Sequence, residues 1–129
     1  MNTKLVMTAS AIILTAAGIA CIFFPHELSI LLGAGGEPFV PMILKILGAL
    51  YFAFGMLNWT AKENLIGGIY GRPIAVANLS HFTIGALSLL KGNTLQLHPL
   101  AIVILTITYV IFAILFGIIF FRSPTTAQQ

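Results

Sequence analysis

Apolar residues fall in four long runs, separated by short breaks rich in polar residues, glycine and proline. The runs are Leu5–Phe24, Phe39–Trp59, Pro73–Leu90 and Leu100–Phe121, the last with Pro99 at its start. A helix needs about 20 mainly apolar residues to cross the hydrocarbon core of a bilayer, and each run meets or approaches that length. In lipid every backbone amide must find a partner within the chain, so segments of this kind are helices. The pattern predicts an all-α fold: an integral membrane four-helix bundle, one transmembrane domain over residues 1–129.

The breaks sharpen this picture. Pro25 ends the first run, because proline cannot continue a helical hydrogen-bond ladder. His26–Leu32 is amphipathic and too short to span, which predicts a short interfacial helix after the first span. The glycine-rich stretch Gly33–Gly36 then breaks it. Pro38 and Pro41 suit the opening of the second span, and Trp59 suits the interface at its end. Lys91-Gly92-Asn93 stops the third span, residues Asn93–His98 form a turn, and Thr125–Gln129 is a tail. The first run has the outline of a cleavable leader, with Gly18-Ile19-Ala20-Cys21 resembling a cleavage site. Apolar Ile22-Phe23-Phe24 follows the cysteine in place of a polar tether, so a retained first helix is expected.

Composition agrees with lipid as the solvent. The chain is 59% hydrophobic and only 7% charged, where a soluble domain carries about 25% charged residues. Its basic residues form no cluster, so nucleic acid is not an expected partner. The single cysteine, Cys21, cannot close an internal disulfide. Four spans put both termini and the middle connector on one side of the membrane. That side carries Lys4, Lys62, Arg72 and Arg122; the other carries Lys91, with Lys45 just inside the second run. The asymmetry predicts a multi-pass protein of the cell membrane with both termini in the cytoplasm.

Helical phasing suggests packing faces. At 100° per residue, Asn78, His81, Gly85 and Ser88 share one arc of the third span, and Lys45, Gly48, Gly55 and Trp59 one arc of the second. Thr106, Tyr109, Ala113, Gly117 and Phe120 align on the fourth, while the small residues of the first are too spread to choose a face. Small and polar residues favour helix–helix contact in membranes, so these faces are expected to point inward. Ile102, Ile104, Leu105, Ile111, Ile114, Leu115 and Ile118 should face lipid or another subunit.

Depth then singles out chemistry. At 1.5 Å per residue, His81 lies about 12 Å beyond Pro73, with Tyr51 and Tyr109 each about 15 Å beyond Pro41 and Pro99. A polar core of His81, Tyr51, Tyr109, Asn78 and Thr106 is the first candidate site, either a structural hydrogen-bond set or a ligand or proton-relay layer. Lys45 with Glu37 or Glu27 is a candidate outer ion pair or ligand site, against the plainer readings of a snorkelling lysine and solvated loop carboxylates. Arg72, beside the N-terminus of the third span, is a candidate for an anion or lipid headgroup, or simply a flanking charge. No catalytic set, cofactor or metal site is assigned. Only His81 is deep, so a bis-histidine haem is not expected; no Cys/His cluster offers zinc, and the chain contains no aspartate for a Ser-His-Asp set.

Phe24-Pro25 at the close of the first span, Lys45-Ile46-Leu47-Gly48-Ala49-Leu50-Tyr51 with Gly55 a turn later, and Asn78 with His81 together resemble the DoxX-like group of small bacterial four-helix membrane proteins. Lys45 stands where that group often has arginine. The resemblance implies the four-helix fold, and some of the group are described as oxidoreductase or respiratory-accessory subunits; no matched catalytic residue carries that activity over. Three functions follow as expectations. The first is an accessory or assembly subunit that binds membrane lipids and another membrane protein or further copies of itself. The second is a small transporter or channel using the His/Tyr layer. The third is a redox subunit handling a quinone-like, lipid-soluble substrate.

Overall fold

A computed structural model describes residues 2–34, 37–63, 71–92 and 99–121. Five helices follow in order: α1 (Thr3–Phe23), α2 (Pro25–Leu31), α3 (Val40–Ala61), α4 (Arg72–Gly92) and α5 (Pro99–Phe121). All but α2 are long and apolar enough to cross a membrane, α5 being the most apolar and α4 the least. The fold is the expected all-α four-helix bundle with a short helix after the first span. The expected turn over Asn93–His98, Gly35 and Gly36 of the glycine-rich break, the flanking Arg122 and the tail Thr125–Gln129 lie outside the described residues.

Local chemistry sets the helix ends. Asn2 caps α1, its side-chain oxygen accepting from the Leu5 amide at 3.3 Å. At Phe24 the backbone leaves helical geometry (φ −121°, ψ 44°), and Pro25 restarts it as the first residue of α2, where its missing N–H removes nothing. Gly33, at φ 76°, then reverses the chain in a conformation that side chains disfavour. The Ser29 hydroxyl donates to the Ala34 carbonyl at 3.2 Å and ties this turn to α2.

The spans form two antiparallel pairs. α1 lies along α3 and α4 along α5, while α3–α4 and α1–α5 contacts are sparser. Glycine makes the first pair close. A Cβ on Gly18 would stand 2.7 Å from the Gly48 carbonyl oxygen, and one on Gly55 would strike Thr15, 2.8 Å from its amide nitrogen. Lipid is as apolar as leucine, so backbone approach and dispersion contact hold the helices, not water exclusion. The second pair is aromatic: Phe82 stacks on Phe112 (centroids 4.9 Å, 24°) and on Phe116 (5.6 Å, 8°). Leu50, Ile84, Ile104, Ile111 and Ile114 are exposed, as lipid-facing residues should be.

Several expected faces are corrected. α1 has a clear buried stripe, Met7, Ser10, Ala11, Leu14, Gly18 and Cys21. On α3, Gly48 and Gly55 are buried but Lys45 and Trp59 are exposed, because the stripe runs through Pro41, Leu44, Gly48, Gly55 and Asn58. On α4 the face centres on Ala75, Asn78, Phe82 and Ala86, leaving Ser88 outside. On α5, Ile102, Tyr109, Phe112, Phe116 and Ile119 are buried and Phe120 is not. Bulky rings, rather than small residues, fill the gap between α4 and α5.

Candidate functional site

Two polar layers cross the bundle. The first joins α1, α3 and α4 near the end that carries Lys4 and Lys62. Asn58 and Asn78 exchange reciprocal amide hydrogen bonds, each Nδ2 donating to the other's Oδ1 at 2.7 Å. Asn58 Nδ2 also donates to Ser10 Oγ at 3.0 Å, whose hydroxyl donates to the Met7 carbonyl at 2.9 Å. Asn78 Nδ2 reaches its own helix at the Ile74 carbonyl, 2.9 Å away. All three side chains are fully buried, and no buried polar side-chain atom among the described residues lacks a partner. A closed set of this kind binds helices to each other and offers nothing to a ligand.

The second layer joins α3, α4 and α5 at the midplane. The Tyr109 hydroxyl donates to Tyr51 Oη at 2.6 Å, and Tyr109 Oη lies 3.3 Å from His81 Nε2. With Tyr109 donating to Tyr51, His81 completes the chain when its proton is on Nε2, and Tyr51 keeps its own hydroxyl proton for a further acceptor. Aromatic neighbours fix the imidazole. Phe54 stacks on it at 5.0 Å and 24°, and Phe82 meets it edge-on at 5.0 Å and 74°. Gly85 positions Tyr109: a Cβ there would enter the phenol ring, so the glycine lets the ring lie against α4 and reach across to α3.

This layer is not sealed. His81 and Tyr51 are only partly buried. With Leu47 and Phe54 from α3 and Ala77, Ser80 and Ile84 from α4, they line an open cleft of about 480 Å³ on the surface of the bundle. The walls are mainly apolar, and the polar atoms converge at one place, the usual build of a small-molecule site.

The remaining candidates fall elsewhere. Thr106 does not join the midplane layer; its hydroxyl donates back to the Ile102 carbonyl of its own helix at 2.7 Å, the common resort of a lone threonine in an apolar helix. Asn78 belongs to the amide layer rather than to His81. Among the described residues the one ion pair is Lys4–Glu63, at 2.8 Å. Lys45 forms no such pair with Glu37 or Glu27, and all three are exposed, which fits the plainer reading of a snorkelling lysine. Glu37 instead lines a shallow recess of about 240 Å³ with His26, Ser29 and Pro41. Arg72 is exposed in the first turn of α4, the position of a flanking charge. Ser10 and Asn58 stood outside the sequence-based candidates. Ser10 lies six residues after Lys4 and Asn78 six after Arg72, an equal depth of about 9 Å from one membrane face, and that was the available signal.

Compared with protein-family models, curated proteins and solved structures, the chain matches none of them.

Proposed function

We propose that this protein is a membrane-embedded accessory subunit whose midplane cleft holds a lipid-soluble ring ligand bearing a hydrogen-bond acceptor, quinone-like in chemistry. One observation carries the reading: an apolar cleft ends on a short hydrogen-bonded chain, His81–Tyr109–Tyr51, whose last hydroxyl has a proton to give. A carbonyl oxygen of the ligand takes that proton as a hydrogen bond, while Phe54 and Ile84 contact its apolar body. A transporter or channel is supported less well, because Phe82, Phe112 and Phe116 pack the interior beside the layer. The DoxX-like resemblance belongs to the same proposal, as does a place in the cell membrane with cytoplasmic termini, which Lys4, Lys62 and Arg72 against Lys91 support.

The test is binding of a short-chain benzoquinone to the protein in nanodiscs, followed by native mass spectrometry. Wild type should retain the quinone, and Tyr51→Phe should weaken retention about tenfold, the worth of roughly one hydrogen bond in a low-dielectric site. Tyr109→Phe, which removes only the bond that orients the Tyr51 hydroxyl, should weaken it less. Unchanged retention in both variants would remove the ground for this reading.

A further inference from the structure

A second groove, separate from the midplane cleft, lies between α1 and α3. It has a volume of about 380 Å³ and is almost wholly apolar: buried Ala11 and half-buried Thr15 lie deepest, the exposed Ile12, Ala16, Ile19 and Met56 flank them, and Trp59 stands at one end. Its origin is the glycine contact. Gly55 brings the α3 backbone against Thr15 of α1, and the small side chains beside that contact leave a furrow. From Ala11 to Ile19 the furrow runs along α1 for about 12 Å, close to half the thickness of a hydrocarbon core.

Charge sits at one end of it only. The Lys62 ammonium lies 3.1 Å from the Trp59 ring centroid, a cation–π contact that holds it over the groove mouth. The neighbouring carboxylate, Glu63, is engaged by Lys4, with Nζ at 2.8 Å and 3.0 Å from its two oxygens. Among the described residues Lys62 forms no ion pair of its own, and two ammonium groups, Lys4 and Lys62, act on the single carboxylate of Glu63, which leaves a net positive charge at the Trp59 end of the groove.

We infer that this groove is a site for an anionic phospholipid, one acyl chain lying in the furrow and the phosphate resting on Lys62. The acyl chain meets only apolar walls. The phosphate gains the ammonium, and a headgroup with net negative charge gains more than a zwitterionic one, whose own ammonium competes with Lys62.

Trp59 is the chain's single tryptophan, so its fluorescence reads the groove mouth without labelling. The full chain is placed in phosphatidylcholine bilayers containing either brominated phosphatidylglycerol or brominated phosphatidylcholine as quencher. Brominated phosphatidylglycerol should quench Trp59 at about fivefold lower mole fraction, the preference that one lysine at an anionic surface supports. Lys62→Gln should reduce that preference to parity. Ala16→Leu, which fills the furrow from its exposed side, should reduce quenching by both lipids. Equal quenching by the two lipids in wild type overturns the inference, as does a preference that survives both substitutions. Protection of Trp59 from either lipid, with groove residues cross-linking between two copies, assigns the furrow to a second copy of the chain and equally overturns it.

Discussion

The two polar layers are built from similar groups and behave as opposites. Around Asn58 every donor and acceptor is consumed inside the bundle, and the side chains are 0% exposed. Around Tyr109 the hydrogen-bond chain stops at a cleft, with Tyr51 and His81 only partly covered. The contrast separates two uses of costly intramembrane polarity. A closed set fixes which helices touch and in what register. An open one keeps unspent hydrogen-bonding capacity, which is the mark of a place where something else binds.

Perturbations should tell the two layers apart. The largest effect is expected from Gly55→Leu. Its side chain would drive into Thr15 and push α1 from α3, costing about 3 kcal/mol or more by overpacking. Because Ser10 comes from α1, the amide layer should lose that member while the Tyr51–Tyr109–His81 layer, built without α1, survives. Unfolding in mild detergent and retention of the benzoquinone read the two outcomes. Loss of both together would mean that the layers are not independent.

Asn58→Leu is the next largest. It strands the Asn78 amide, and a cost of about 0.6–1.7 kcal/mol is expected from hydrogen-bond removal in membrane bundles. The double substitution Asn58→Leu, Asn78→Leu removes both partners, so it should cost less than the sum of the singles in a double-mutant cycle. Additive costs would deny the reciprocal bond. Benzoquinone retention should not change in either variant.

The smallest effect concerns Lys4 and Glu63, at the edge of the amide layer's end of the bundle. The hydrogen bond from Lys4 holds the Glu63 carboxyl below its usual range, helped by the charges of Lys4 and Lys62. A carboxyl depressed in the folded state stabilises it above the ordinary carboxylate pKa and loses that contribution as pH falls through the lowered value. Both side chains are well exposed (58% and 64%), so solvent screens the pair. Lys4→Ala should leave the unfolding midpoint nearly unchanged at neutral pH, and any difference from wild type should vanish in acid. A growing difference on acidification would place the carboxyl shift elsewhere.

Much of the architecture is legible in the sequence. Apolar length and the prolines and glycines between runs located every span, because lipid leaves a backbone no other choice. Tyr51, Tyr109 and His81 could be set at a common depth because helical rise is fixed. Rotation was harder. Lys45 and Trp59 share an arc with Gly48 and Gly55, yet long amphipathic side chains at the edge of a face bend towards lipid or the interface. Asn58 lies next to the interfacial Trp59 in sequence, and only the meeting of three helices makes it central. That α5 would offer Phe112 and Phe116 to Phe82 was hidden because an apolar helix gives no contrast between its sides.

The order in which the chain leaves the ribosome adds meaning to the α4 position. Asn78 meets its partners on helices already synthesised, since Ser10 and Asn58 both precede it. His81, three residues later on the same helix, must wait for Tyr109. The sealed layer can thus close during translation, while the cleft is finished only once the last span has arrived.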